Sequence, residues 1–410
     1  MSGVLFVHTN FPAQFADIAR ALVARGERCA AIGSADAPGL YGVRVERWNN
    51  TRGSTPDLFP LAVRAEADLI RGHAAWMAAR TLKAEGFEPD LIIGHPGWGE
   101  TVFMGDLWPK ARQILFGEYF YQGRGGDIDF DNEFFQPGMQ AILAGKAKNA
   151  VMALTYTDAD AIVCPTEYQA STLPAVFRPR IHVIHEGVDV DAIRPGPSIP
   201  ITLEDQRVLG PEVPIITHVN RHLEPMRGLH ILLRALPRLQ AAVPEAHVVI
   251  VGNPSERGYA GAAPDGKTWK DAILATVEGE LDLSRVHFPG RLRHENMVMA
   301  LQRSRAHVYY TYPFVLSWSV IEAMSAGCYV IASDTPPVRD AIVDGVNGKL
   351  LPFFNHNLLA DALIEACEAP PDAFDRLRAA ARETAVTRFS RADGRAKWLQ
   401  LIDEVRARQP

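Results

Sequence analysis

The run Tyr309-Tyr310-Thr311-Tyr312-Pro313-Phe314-Val315-Leu316-Ser317-Trp318-Ser319-Val320-Ile321-Glu322-Ala323-Met324-Ser325-Ala326-Gly327 decides how the rest of the chain is read. An apolar strand, Ala306 to Tyr310, enters a polar elbow and then a helix that carries one acid, Glu322, and stops at Gly327. A second strand, Tyr329-Val330-Ile331-Ala332-Ser333-Asp334, follows at once. A strand–loop–helix offers backbone N–H groups to an anion, because the first turn of a helix has no intrahelical acceptors for them. Glu322 lies further along the same helix, where a carboxylate can accept from hydroxyls. The pattern suits a ligand with phosphate at one end and hydroxyls nearby. The plainer alternative is that Glu322 faces water, that Val320, Ile321 and Met324 form a core stripe, and that Trp318 is packing.

Outward from this segment, short apolar runs alternate with helical patterns. Strands are expected at Val4–His8, Cys29–Gly33, Leu91–Gly94, Gln113–Phe116, Ala161–Cys164, His182–Ile184, Ile215–His218, His247–Val251, Val286–Phe288, Ala306–Tyr310 and Val330–Ala332. Most are apolar at consecutive positions, as parallel strands buried on both faces are. Helices are expected between them, among them Phe15–Arg25, Gly145–Asp158, Leu229–Ala242, Met297–Arg303 and Val320–Ala326. This alternation predicts an α/β fold with doubly wound sheets. The pattern restarts after Pro195-Gly196-Pro197-Ser198-Ile199-Pro200, which reads as a linker. Two Rossmann-like domains, 1–195 and 196–388, are therefore expected, with a helical segment, 389–410, broken near Gly394.

Composition agrees with a two-domain globular enzyme: 410 residues, 47% hydrophobic and 22% charged. The net charge of −6 argues against a nucleic-acid binder. Four scattered cysteines without a C-x-x-C pair suggest reduced thiols and a cytoplasmic setting. The N-terminus reads as a strand and not as a signal peptide. No apolar run is long enough to span a bilayer, so membrane contact is expected to be peripheral at most.

The strand ends carry the chemistry. Asn220-Arg221-His222-Leu223-Glu224-Pro225-Met226-Arg227-Gly228 follows the first strand of the second domain. Arg221 and Arg227 are a diphosphate clamp, since a guanidinium is always charged and donates bidentately, or else two surface charges. Gly252 and Asn253 end one strand, and Gly290, Arg291 and Leu292 follow another, each marking backbone that a ligand can approach. Phe314, Leu316, Ser317, Trp318 and Ser319 complete this candidate donor site. In the first domain Asn10 and Gln14 follow the first strand, where Asn10 is also a candidate helix N-cap. His95 and Trp98 sit in the glycine-rich Gly94-His95-Pro96-Gly97-Trp98-Gly99-Glu100, and Glu118 ends another strand. These five form the candidate acceptor site. Asp127-Ile128-Asp129-Phe130-Asp131 contains an aspartate–x–aspartate pattern, but it falls away from the diphosphate site and no metal role is expected.

Together these motifs resemble the glycosyltransferase family 4 group of retaining enzymes with the GT-B fold. The residues that carry the resemblance are Arg221, Arg227-Gly228, Gly252, Phe288-Pro289-Gly290-Arg291-Leu292, Glu322 to Gly327 and Asp344-Gly345-Val346-Asn347-Gly348, in the family's order. Ile184-His185-Glu186-Gly187-Val188-Asp189 looks like the segment before the family's linker. The resemblance implies two Rossmann-like domains facing a central cleft, a C-terminal helix crossing back to the first domain, and Glu322 on the ribose hydroxyls. Three departures are visible. The family's other glutamate, eight residues earlier, is Phe314 here. Arg227 replaces a usual lysine. The first loop has Phe11-Pro12-Ala13 in place of a glycine pair.

What this implies is hexose transfer, with retention, from a UDP- or GDP-sugar to a hydroxyl of a saccharide or lipid-linked saccharide. Arg221, Arg227 and Glu322 would be the catalytic residues, with no cofactor and no metal; oligomeric state is not readable. Two alternatives come from other classes: a non-catalytic nucleotide-sugar-binding protein, motivated by Phe314, and a sugar-nucleotide epimerase or hydrolase of the same fold. No G-x-G-x-x-G follows the first strand, which disfavours a dehydrogenase.

Overall fold

A computed structural model describes residues 3–134, 138–203, 206–259 and 261–408. The chain divides into two compact units, Met1–Glu186 with Arg391–Pro410, and Gly187–Ser390.

Unit 1 is built on seven parallel strands: β1 (Gly3–Val7), β2 (Arg28–Ser34), β3 (Arg44–Trp48), β4 (Leu91–Gly94), β5 (Arg112–Phe116), β6 (Ala161–Cys164) and β7 (Ile181–Val183). Their order is β3-β2-β1-β4-β5-β6-β7. β1, β4 and β6 are buried at every position, which is why they appear in the sequence as unbroken apolar runs. β3 was not expected. It is an edge strand, and its Arg44, Glu46 and Arg47 hide the apolar signal. The C-terminal helix, Arg391–Ala407, closes this core: Trp398, Leu401, Ile402 and Val405 pack with Val4, Phe6 and Phe15. The expected break at Gly394 does not occur. Glycine is there because a Cβ would lie 2.4 Å from the His185 carbonyl oxygen. The single helix expected over Gly145–Asp158 is two, Met139–Lys148 and Ala150–Tyr156. They part at Asn149, whose side-chain amide bonds both the N–H and the carbonyl of Tyr121 at 2.9 and 2.8 Å.

Unit 2 opens with a small hairpin, β8 (Ile201–Thr202) and β9 (Val208–Leu209), and carries a second one, β12 (Arg257–Gly258) and β13 (Gly261–Ala262). Its main sheet contains β10 (Ile215–His222), β11 (His247–Asn253), β14 (Val286–His287), β15 (Ala306–Tyr309), β16 (Val330–Ser333) and β17 (Lys349–Leu351), all parallel. The order is β14-β11-β10-β15-β16-β17. Each unit thus repeats the doubly wound pattern, with the strand order reversing beside its first strand. Ligands of such sheets bind outside the strand carboxyl ends at that reversal. In unit 1 it lies between β1 and β4, and in unit 2 between β10 and β15. Among the described residues no helix is long and apolar enough to cross a membrane.

Candidate active site

In unit 2 the two loops at the reversal leave β10 and β15. After β10 the chain turns through Pro225–Arg227 into Gly228, whose φ is +71°. A Cβ at Gly228 would also fall 2.3 Å from that of Tyr310, so only glycine lets the loop sit against β15. That contact directs Arg227 inward. Its Nη1 donates to Thr311 Oγ1 at 2.9 Å and to the Val315 carbonyl at 3.2 Å. The guanidinium also lies over the rings of Tyr259 and Phe314, 5.5 and 5.9 Å from their centroids. Arg221 is exposed and makes no hydrogen bond or ion pair among the described residues. Arg291, beyond β14, is exposed too. All three cations act on His222, whose pKa is lowered first by burial and then by Arg221, Arg227 and Arg291. A patch of converging positive charge therefore surrounds the end of β10.

The loop after β15 supplies the helix start expected from sequence. Helix Trp318–Ser325 is capped by Ser317, whose Oγ accepts from Ser319 N at 3.3 Å. Ser317 N donates to the Tyr309 hydroxyl at 2.8 Å, which ties the loop to its own strand. Trp318 is about half exposed, while Phe314, Leu316 and Ser319 are buried. Leu316 belongs to the hydrophobic core and Phe314 packs against Arg227, so their side chains are structural before they are anything else. Glu322 Oε1 accepts from His294 Nε2 at 2.9 Å. His294 was not singled out from the sequence; nothing local marks a histidine whose partner stands 28 residues away.

Gly252 does not present open backbone. A Cβ there would meet Leu223 at 2.6 Å and the Asn220 carbonyl at 2.7 Å, so the glycine serves internal packing. Its N–H donates to the Gly290 carbonyl at 3.0 Å, joining the two turns. Gly290 has φ +67° and open space where a Cβ would be. Asn253 is exposed and Leu292 is half-buried on the core.

Beneath the patch lies a buried polar layer. His218 Nδ1 contacts the Val308 carbonyl at 3.0 Å, and its Nε2 meets Asn220 Nδ2 at 2.9 Å. A carbonyl only accepts and an amide nitrogen only donates, so His218 is the neutral Nδ1–H tautomer. Burial depresses its pKa to about 4. Asn220 Oδ1, directly before Arg221, is buried without a partner among the described residues.

In unit 1 the corresponding loops bring aromatic and acidic groups together. His95 stacks on Trp98 with centroids 4.5 Å apart, and His8 stands edge-on to both at 5.3 and 5.4 Å. His95 Nδ1 accepts from Gly97 N at 3.1 Å, and His8 Nδ1 accepts from Asn10 N at 2.9 Å. Each neutral ring therefore carries its proton on Nε2. His95 Nε2 lies 3.3 Å from Glu118 Oε2. Burial and the neighbouring His95 push the His8 pKa down to about 3, with Gln14 opposing. Asn10 is exposed and caps no helix; the helix at Ala16 begins without a side-chain cap. His8 was missed because it closes an apolar strand and reads as its last residue.

The glycines of this loop answer to packing. Gly99 has φ +97°, and a Cβ there would fall 2.2 Å from the Asp68 carbonyl; one at Gly94 would fall 2.3 Å from Thr101. From helix Val63–Ala84, Arg71 Nε donates to the Trp98 carbonyl at 2.7 Å, and Arg64 donates to the Gly97 carbonyl. Glu100 is fully buried, accepts from Thr9, and has its pKa raised by burial. The aspartates of the 127–131 segment have internal partners. Asp127 accepts from the Tyr119 hydroxyl at 3.1 Å, Asp129 from Gly125 N at 2.8 Å and Asp131 from Glu133 N at 2.9 Å.

Comparison with known proteins agrees with this layout. Residues 25–193 match the model of the glycosyl transferase family 4 group, and residues 202–384 match that of the glycosyl transferases group 1. A relative from Mycolicibacterium paratuberculosis, named D-inositol 3-phosphate glycosyltransferase, is 30% identical over 86% of this chain and 83% of its own. The chain belongs to the family 4 glycosyltransferases. Another relative of the same name, from Mycolicibacterium gilvum, is 29% identical over 84% of this chain and 80% of its own. Solved structures place the glycosyltransferase in the GT-B fold. Sucrose-phosphate synthase from Thermosynechococcus elongatus superposes with a TM-score of 0.72 at 17% identity, over 99% of both chains. An Anabaena protein in complex with UDP and glucose does so with a TM-score of 0.70 at 17% identity, over 98% of this glycosyltransferase and 100% of its own chain.

Proposed function

We propose that the protein transfers a hexose, with retention, from a UDP- or GDP-sugar to a hydroxyl of a saccharide or lipid-linked saccharide, in cell-surface polysaccharide assembly. The observation that carries this is the strand reversal of unit 2, where Arg227 is held by Thr311 and Val315 beside the Ser317-capped start of helix Trp318–Ser325. Breaking the bond between sugar and phosphate leaves negative charge on the departing diphosphate. Arg221, Arg227 and the N–H groups at the start of helix Trp318–Ser325 stabilise that charge as it develops. Arg227 is pre-positioned by Thr311 and Val315, so little reorganisation is needed when the charge appears. Glu322 takes the ribose hydroxyls, and the turn at Gly290, Arg291 and Leu292 faces the base. An oxygen of the leaving phosphate accepts the acceptor's proton, so no protein nucleophile is required. The cations do the work of a metal ion, and no cofactor takes part. Unit 1 binds the acceptor through Asn10, Gln14, His95, Trp98 and Glu118. An Anabaena structural neighbour solved with UDP and glucose supports a nucleotide-sugar donor. The two relatives are named for a hydroxyl-bearing acceptor, inositol phosphate.

The test is turnover of a nucleotide-sugar panel with hydroxyl acceptors by wild type, Arg221→Ala and Glu322→Ala. Loss of transfer in both variants, with folding intact and product of unchanged anomeric configuration from wild type, supports the proposal. Normal turnover by both variants overturns the site assignment, and activity abolished by chelator and restored by Mg²⁺ overturns the metal-free mechanism. One observation favours a second reading: the buried Phe314 ring lies against the Arg227 guanidinium, at the position where the family resemblance implies a carboxylate. Tight nucleotide binding with no turnover across the whole panel would identify a binding protein.

A further inference from the structure

We infer that His294 is a positioning residue that sets the Glu322 carboxylate for a ribose diol and couples it to the turn facing the base. The inference rests on the donor-site assignment above. His294 is the first residue of helix His294–Gln302, directly after the Gly290-Arg291-Leu292 turn. The cap position of that helix, Arg293, makes no side-chain cap bond, and the imidazole reaches across to Glu322 instead. The two ends of this bond stand on fixed elements. Met297 and Val298 pack the first helix against the core of unit 2, and Ile321, Ala323 and Met324 bury the second. Exposure is asymmetric: the His294 side chain is 58% exposed and that of Glu322 15%. The imidazole is therefore not held in place by burial, and packing alone does not explain a histidine there.

The bond uses one N–H of His294 and one of the several lone-pair sites of the carboxylate. An ionised carboxylate only accepts, so the bond has Nε2–H of His294 as its donor. Its effect is to restrict a glutamate side chain that would otherwise sample several rotamers before meeting the ribose. Immobilising such a side chain beforehand is worth roughly threefold to tenfold in affinity.

The experiment is calorimetric titration of the full chain with UDP, GDP and their 2′-deoxy analogues, using wild type, His294→Ala and His294→Gln. Gln is the conservative variant, because its amide nitrogen takes the place of imidazole Nε2. Wild type should prefer the ribonucleotide. His294→Ala should weaken ribonucleotide binding about threefold to tenfold and weaken 2′-deoxy binding, which keeps only the 3′-hydroxyl contact, by less; His294→Gln should restore most of the loss. In turnover, His294→Ala should raise the donor KM more than it lowers kcat. Equal losses for ribo- and deoxynucleotides, or no loss at all, would overturn the inference while the donor site stands. A wild-type protein that binds none of the nucleotides would overturn the donor site, and this inference with it.

Discussion

Two glycines, Gly99 in unit 1 and Gly290 in unit 2, end similar loops for different reasons. Both have positive φ, +97° and +67°. At Gly99 the missing Cβ makes room for the Asp68 carbonyl, and the loop is sealed against a helix by two arginines. At Gly290 the space beside the backbone is open and the next residue is an exposed arginine. A glycine-rich loop is therefore not evidence of a ligand by itself. What separates a packed loop from an open one is where a side chain would go, and the sequence does not contain that.

Substitutions can break this contrast. Gly99→Ala meets both strain and collision and should destabilise by about 4 kcal/mol, read by urea unfolding; a loss under 1 kcal/mol would mean the loop is not sealed. Arg221→Ala should leave stability within about 0.5 kcal/mol, because the exposed side chain has no hydrogen-bond or ion-pair partner among the described residues. Its transfer rate should nevertheless fall about 10²–10³-fold, the usual cost of removing one preorganised donor to developing charge. Acid titration compares the units as wholes. His8 and His185 in unit 1 are held at about 3 and 4, and His307 and His218 in unit 2 at about 3 and 4, burial being the first cause in each. All four stay neutral in the folded chain and take protons in the unfolded chain below about pH 6.5. The unfolded state then binds more protons, so stability is full above that pH and falls as pH drops towards 4, by up to about 1.4 kcal/mol per pH unit for each histidine. Asp127, pushed up to about 6 by burial, works in the opposite sense. His218→Gln should flatten the acid slope of unit 2, and an unchanged slope would show that this ring does not report on folding. Of the two glycines the smaller effect is expected for Gly290→Ala, about 1 kcal/mol in urea unfolding from φ alone.

Most of the fold was legible because buried parallel strands leave an unmistakable trace. Val4–Val7, Leu91–Ile93 and Ala161–Cys164 are apolar at every position. The edge strand Arg44–Trp48 was not legible, since its charges mask its pairing, and neither was the three-residue β17. In the candidate site, Arg221, Arg227, Ser317 and Glu322 were singled out from their positions at and after strands, and the structure sets them at the end of β10 and on the segments that follow β10 and β15. What orders them was not: Thr311 beneath Arg227, Tyr309 under Ser317 and His294 against Glu322 are matched by distance in space and by no local motif. Gly394 was misread because glycine in a helix signals a break or a close contact equally well, and only the His185 carbonyl decides between them.

That last helix has a consequence for how the protein is made. The sheet of unit 1 is encoded before unit 2, yet Trp398, Leu401, Ile402 and Val405, which cover part of its apolar face, are translated after it. On the ribosome, unit 2 can finish folding while its predecessor still waits for a lid. A stop codon ahead of Arg391 would leave Phe15 and its neighbours bare, and such a product should be a client of chaperones rather than a shorter enzyme.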